Sequence, residues 1–489
     1  MSASKSPSRI AVVGAGMLGL MTALRLAQAG REVIVYEAEA NAGGLTGTAT
    51  FGGYQWDRFY HVVLLSDLHT RGLLKELGLE HRLRFGTSRT GFYTDDKLHG
   101  MSNAWEFLKF EPLSLIDKTR LAMTISMAGR IRRPERLEKI LAIDWLTRWS
   151  GKRVVEKIWK PLLKSKLGDN YRHASAAFIW AIIARLYAAR RSGLKREQFG
   201  VIDGGYAIVV HALLRRLDEL GVAVRTGTPI KTVRGAAPHV MIETQDGDVA
   251  HFDEVVMTVA PVIAQALCPE LQPAEKKRLA DVPYQGVICA ALLLKKPLSP
   301  YYVTNLTDGN MPFTGVIEMT ALMGTQTFGG NSLVYLPLYL PQEAAEWKLS
   351  AGEIRDRFYA GLEKMHPGFD RSDVLDCKLS RARRVLPIST LNYSRDVMPP
   401  VSTSVPHIHF VNAARIAYGT LNVNETLALA QQHVEDVLRV THAAPPAVVA
   451  PNDQQEPRIA VTGFGPDVAA DTADKARSAE REQTTEQGA

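Results

Sequence analysis

At 489 residues the chain is longer than one hydrophobic core ordinarily supports, so two domains are expected. Its 46% hydrophobic and 22% charged residues fit a soluble globular protein and exclude a disordered chain. The net charge of +7 is mild, no nucleic-acid motif accompanies it, and no uncharged stretch reaches bilayer length.

In chain order, the first element is the run Arg9–Val13, short and rich in apolar residues, which predicts a buried strand. It ends in Gly14-Ala15-Gly16-Met17-Leu18-Gly19, and the apolar residues of Met21–Ala29 then recur at helical spacing. Gly14 permits the tight strand-to-helix turn, Gly16 lets backbone approach a pyrophosphate, and Gly19 lets the helix lie close on the sheet. The helix N-terminus, at Met17 and Leu18, offers free N–H groups to phosphate. A second strand, Glu32–Tyr36, leads to Glu37, whose carboxylate is placed to bind a ribose diol. The pattern predicts dinucleotide binding, and an acid at Glu37 disfavours NADP, whose 2′-phosphate calls for arginine.

The continuation from Glu37 and Ala38 to Gly43-Gly44-Leu45-Thr46 adds a second glycine-rich loop. With the first loop, it resembles the flavoproteins of the FAD-dependent amine oxidase superfamily, which includes protoporphyrinogen oxidases, phytoene-type desaturases and UDP-galactopyranose mutases. The resemblance implies FAD, with Gly14, Gly16, Met17, Leu18, Gly19, Glu37, Ala38, Gly43, Gly44, Leu45 and Thr46 along it. Many relatives carry a basic residue after the glycine pair, where this chain has Leu45.

Phe51–Val63 reads as a hairpin entering a loop. In the superfamily this region passes the flavin, which makes Tyr60 and His61 catalytic candidates. Asp67–Leu79 reads as a helix. From about 100 to 196 the patterns are helical and rich in Lys, Arg and Trp. They read either as a lobe with a solvated basic face or as a surface resting on anionic lipid. Within them, Trp159–Asp169 resembles a stretch of bacterial protoporphyrinogen-oxidase-like flavoproteins, with Lys164 and Lys166 as candidate contacts for an anionic substrate.

Phe199–Tyr206 and the helix Ala207–Leu220 look like the superfamily's return to the FAD domain, where the backbone of Ile230 would pair with adenine. Val240–Glu243 and Val249–Phe252 predict a hairpin, and Glu254–Val259 a buried parallel strand. From Tyr284 to about Pro400 strands dominate, at 286–294, 301–305, 314–320 and 332–340. Glu318 and Thr320 are placed on one face. The resemblance places Cys289 where monoamine-type oxidases bear a lysine, which argues against ordinary amine oxidation. Desaturation, ring oxidation and a redox-neutral reaction stay open. The segment His409–Leu427 reads as strand, loop and the start of a helix Glu425–Leu438, with Asn424 as N-cap. Asn412-Ala413-Ala414 replaces the family's Gly-Gly-Asp. Arg415 and Asn424 are cofactor candidates, and Tyr418 a catalytic one. Residues 441–489 are Ala-, Pro- and charge-rich and read as a disordered tail.

The fold class implied is α/β: a two-domain, Rossmann-type FAD-binding fold of p-hydroxybenzoate-hydroxylase-like architecture with a mixed substrate domain. The expected division is 8–80, 197–283 and 405–440 for FAD, 81–196 for a helical lobe, 284–404 for the substrate sheet and 441–489 for the tail. The implied activity is hydride removal from an organic, lipophilic substrate by an FAD-dependent oxidoreductase. The alternatives are a mutase-like isomerase that uses reduced FAD, and a non-catalytic flavin-binding accessory protein. No metal is expected. Three scattered cysteines and a short polar N-terminus imply a reducing, cytoplasmic setting; the lipid-resting reading of the basic lobe, and not the solvated one, would add peripheral contact at the inner face of a membrane.

Overall fold

The computed structural model describes residues 8–191 and 197–442. The tail expected from 441 therefore lies, beyond His442, outside the described residues.

A five-stranded parallel sheet runs in the order Ala223–Arg225, Glu32–Tyr36, Arg9–Val13, Glu254–Met257 and Ile408–Phe410. Its strands are near-continuous apolar runs because both faces are covered, and Ile10, Ala11 and Val12 are wholly buried. One face packs on the helices Met17–Gln28, Gly205–Glu219 and Val423–His442. The other packs on an antiparallel sheet of Ile230–Ala236, His239–Thr244 and Val249–Phe252 with the helix Pro261–Leu267.

A seven-stranded sheet forms the second layer, in the order Val374–Pro387, Tyr284–Leu294, Ser332–Leu340, Gly315–Glu318, Val303–Leu306, Thr90–Thr94 and Lys97–Gly100. In Tyr284–Leu294, alternate residues enter different cores. Ile288, Ala290 and Leu292 pack with the helix Ala351–Met365, whereas Val287, Cys289 and Ala291 face the hairpin Thr48–Phe51/Tyr54–Asp57. A helical lobe from Ala104 to Arg191 has its own core around Trp145, Leu146, Ile158 and Phe178.

Four local expectations need correction. Residues 83–100, grouped with the helical lobe, are mostly strand, because Leu83–Thr87 pairs with Gln198–Ile202 and Thr90–Thr94 joins the large sheet. The strand expected over 314–320 stops at Glu318, where the short helix Met319–Met323 begins. Glu318 and Thr320 both bond Ser332 Oγ in the interior, at 2.9 and 2.6 Å. The last helix starts at Val423, and the side chain bonding its first turn is Asn422, whose Oδ1 accepts from Glu425 N at 3.1 Å. Asn424 Oδ1 instead accepts from His69 N (2.9 Å) and Thr70 N (3.2 Å), in the first turn of the helix Leu68–Glu76.

Candidate active site

The first glycine loop is shaped by close approach. Gly14 has φ +105° and donates its N–H to the Tyr36 carbonyl at 2.8 Å. A Cβ on Gly19 would lie 1.8 Å from the Gly14 carbonyl oxygen, so only glycine lets the helix start this close to the strand end. A Cβ on Gly16 would meet no protein atom within 4 Å, and Gly16 is also the residue from which the helix Met17–Gln28 springs. The turn is thus open on the side where the helix N–H groups point. The side chains of Met17 and Leu18 are buried in the core, which leaves only their backbone for a ligand.

The second loop lies directly on the first. Gly43 N donates to the Ala15 carbonyl at 2.8 Å, and Gly16 and Gly43 form a parallel bridge. Gly44, Leu45 and Thr46 make a 3-10 turn, and the Thr46 hydroxyl donates to the Gly43 carbonyl at 2.8 Å. Glu37 accepts Ala15 N at 2.7 Å on one oxygen and Glu39 N at 3.0 Å on the other, which fixes the carboxylate at the mouth of the first loop. Ala38 beside it is exposed, while Ile230 is buried at the start of its strand.

Arg58 supplies a cation to this loop that the reading of the sequence overlooked. Its Nη2 donates to the Gly44 carbonyl at 2.9 Å, while its buried Nε has no partner. The signal was present in the hairpin: Thr48 pairs with Asp57 across the Gly52-Gly53 turn, which sets Arg58 opposite Gly47. Two stacked glycine turns open at Gly16, an anchored carboxylate and an incompletely bonded guanidinium fit the phosphates and ribose of FAD.

From Arg58 the chain continues to the large sheet. The Tyr60 and Tyr339 hydroxyls lie 3.0 Å apart, and burial foremost, then Tyr339, pushes the Tyr60 phenol pKa up. Tyr335 donates to the Asp57 carbonyl at 2.6 Å, and Asp57 Oδ1 accepts Tyr206 N at 2.9 Å. His61 Nδ1 is 3.5 Å from Asp57 Oδ2, with its ring 5.1 Å from that of Tyr206. Cys289 is fully buried on the same wall, and desolvation raises its thiol pKa.

Tyr60 and His61 are thus brought together, next to the glycine loops. The other candidates have their hydrogen bonds elsewhere. Tyr418 donates to Ser394 Oγ at 3.2 Å, beside Glu138. Arg415 bonds the Pro399 carbonyl and lies 3.4 Å from His433 Nε2. Among the described residues no cluster of His, Cys, Asp or Glu could hold a metal ion.

The fold and this site define an FAD-dependent oxidoreductase, and the chain belongs to the flavin containing amine oxidoreductase family, whose sequence pattern matches residues 18–422. It is 26% identical over 300 residues to a hydroxysqualene dehydroxylase of Sinorhizobium fredii, covering 57% of this chain and 68% of that protein. It is 26% identical over 251 residues to a zeta-carotene desaturase of Synechocystis, covering 46% of this chain and 50% of the relative. Among solved structures, an oxidoreductase from Methanosarcina mazei shares the fold with a TM-score of 0.69 at 18% identity, over 87% of this chain and all of that one.

Proposed function

We propose that this oxidoreductase removes hydride from a lipophilic carbon skeleton rather than from an amine. One observation carries the reading. The wall of the large sheet that faces Tyr60 and the hairpin before it is built of Val287, Cys289 and Ala291 with Tyr335 and Tyr339, so its polar groups are phenols and a thiol rather than carboxylates. Such a wall grips by shape and offers no counter-charge to an ammonium group.

FAD, when bound, supplies the hydride acceptor. Gly16 and the helix N-terminus would hold the pyrophosphate, Glu37 the ribose, and Arg58 the negative charge that Leu45 cannot answer. The segments 8–80, 197–283 and 405–440 would together form the cofactor-holding part. Tyr60 would hold the substrate against the sheet wall. His61, whose Nδ1 lies 3.5 Å from the Asp57 carboxylate, would take the proton that balances hydride loss.

Access from a lipid surface fits the same reading. Trp105, Leu108, Leu115 and Ile116 are 65%, 53%, 69% and 70% exposed on adjacent helices of the lobe, and Lys118 Nζ ties the helices by donating to the Leu108 carbonyl at 2.6 Å. The Lys109 ammonium lies 4.7 Å from the Trp105 ring centroid, a pairing of cation and aromatic suited to an anionic interface. No helix among the described residues is long and apolar enough to cross a membrane.

The test is anaerobic mixing of the FAD-loaded protein with unsaturated and hydroxylated isoprenoids on one side and primary amines on the other. Bleaching of the visible flavin absorbance by an isoprenoid is expected. Bleaching by amines alone, or turnover only after chemical reduction of the flavin, would overturn the reading, the second in favour of a redox-neutral isomerase.

A further inference from the structure

We propose that Lys166 and Gln285 form a binding point for an anionic oxygen group, carboxylate or phosphate, at one end of the substrate. The inference rests on the proposed function, since it assigns the polar end of the same sheet wall.

Lys166 lies in the last turn of the helix Lys160–Leu167, and its ammonium is 5.7 Å from the centroid of the Tyr339 ring. The phenol of that ring meets Tyr60. Two other lysines of the lobe have carboxylate partners: Lys157 with Asp95 at 2.5 Å and Lys160 with Glu156 at 2.8 Å. Lys166 has none among the described residues. The cation that acts on it, Arg185, is itself held by Asp67 Oδ2 at 2.8 Å. Burial, reinforced by Arg185, lowers the Lys166 pKa, as expected for an ammonium without a counter-charge.

The second observation is independent. Gln285 is 0% exposed, yet neither its amide nitrogen nor its amide oxygen has a partner. A buried amide left in that state is destabilising, so its retention points to a ligand that satisfies it. Its Nε2 lies 3.4 Å from the position a Cβ would take on Gly168, two residues beyond Lys166. Gln285 alternates with Val287 and Cys289 along one strand, and Tyr339 pairs directly with Val287. The orphan amide therefore projects from the same sheet face as the Tyr60–Tyr339 pair, at the end where Lys166 sits.

An ammonium without a counter-ion and an amide N–H without an acceptor match one anionic group: the lysine supplies charge and the amide a directed hydrogen bond. A substrate bound there would keep its anionic end on the helical lobe and its apolar body along the phenol-lined wall.

The experiment is titration calorimetry of the full-length, FAD-loaded protein with octanoate, octyl phosphate and octan-1-ol, which share one alkyl chain. At least one anion is expected to bind more tightly than the alcohol, and the tighter of the two identifies the group. Lys166→Met should weaken that anion by roughly 30-fold or more and leave the alcohol unchanged. Gln285→Leu should weaken it by about 10-fold. Lys164→Met, at an exposed neighbour, should change neither. Equal affinity for alcohol and anions in the wild type, binding of neither anion, or full anion affinity in Lys166→Met would overturn the proposal. Should Lys166→Met not fold, the wild-type comparison and retained anion binding in Lys166→Arg decide it. A protein that keeps FAD but shows no anion preference refutes this site alone. Amines as the only reductants would refute the proposed function.

Discussion

The guanidinium of Arg58 donates to the Gly44 carbonyl at 2.9 Å, while its backbone N–H donates to the Gly47 carbonyl at 3.0 Å. One residue thus clamps both ends of the second glycine turn and brings a cation to it. Arg58→Met should weaken FAD by about tenfold, the scale of one hydrogen bond to a charged group, without unfolding the protein. Equilibrium dialysis against FAD, with the flavin retained per chain as readout, measures it. Unchanged affinity would make Arg58 a purely structural clamp.

Gly16 and Gly19 separate cofactor binding from folding. Alanine at Gly16 would meet no protein atom, so the cofactor-free chain should keep its unfolding midpoint while FAD affinity falls. Alanine at Gly19 would place its Cβ 1.8 Å from the Gly14 carbonyl oxygen. Overpacking of that kind costs about 1–3 kcal/mol or more, so Gly19→Ala should unfold at lower denaturant with or without FAD. Urea titrations of both variants, with and without cofactor, distinguish the two effects.

Glu318 should make stability depend on pH. Burial raises its carboxyl pKa to about 7 against hydrogen bonds from Ser299 N, Ser332 Oγ and Leu298 N, which pull it down. The folded state therefore holds the proton more tightly than the unfolded chain, whose carboxyl titrates near 4.5. The favourable contribution is complete below that value, declines as pH rises to about 7, and is gone above it. Its size is on the order of 3 kcal/mol. Denaturant unfolding across this range should show the decline in the wild type and lose it in Glu318→Gln.

Trp105 and Ile116 should govern lipid contact. Replacing both with Glu adds negative charge to the exposed patch beside Lys109 and removes its apolar surface. Co-sedimentation with vesicles containing phosphatidylserine should fall several-fold, with FAD content unchanged. Retained sedimentation would refute this face as the contact.

The parts of the site legible in the sequence are those built from neighbours along the chain. Gly14 to Glu37 is one strand, turn, helix and strand, so spacing alone conveys its chemistry. Arg58 demanded one further step, the register of a hairpin, which a Gly-Gly turn makes inferable. Asn422 and Asn424 show where such reading ends. Both are capping residues by type, but only the packing of the last helix beside Leu68–Glu76 decides which helix each one caps. Residues 83–100 were absorbed into the helical lobe because their strands are short and half-polar, and the partners that tie Leu83–Thr87 and Thr90–Thr94 into sheets lie more than a hundred residues away. Lys166 was visible as a candidate. Gln285 was not, because its lack of partners is a property of the folded interior.

The order of the parallel sheet has a consequence for synthesis. Its middle strand, Arg9–Val13, is made first, but its neighbour Glu254–Met257 emerges some 240 residues later and the edge Ile408–Phe410 later still. A nascent chain therefore carries a half-built nucleotide site with an open strand edge through most of translation, a state prone to mispairing. The helix Val423–His442 completes the packing around Met17–Gln28. Flavin availability would therefore influence yield late, as the finished chain closes, and cells short of riboflavin should accumulate aggregated rather than merely inactive protein.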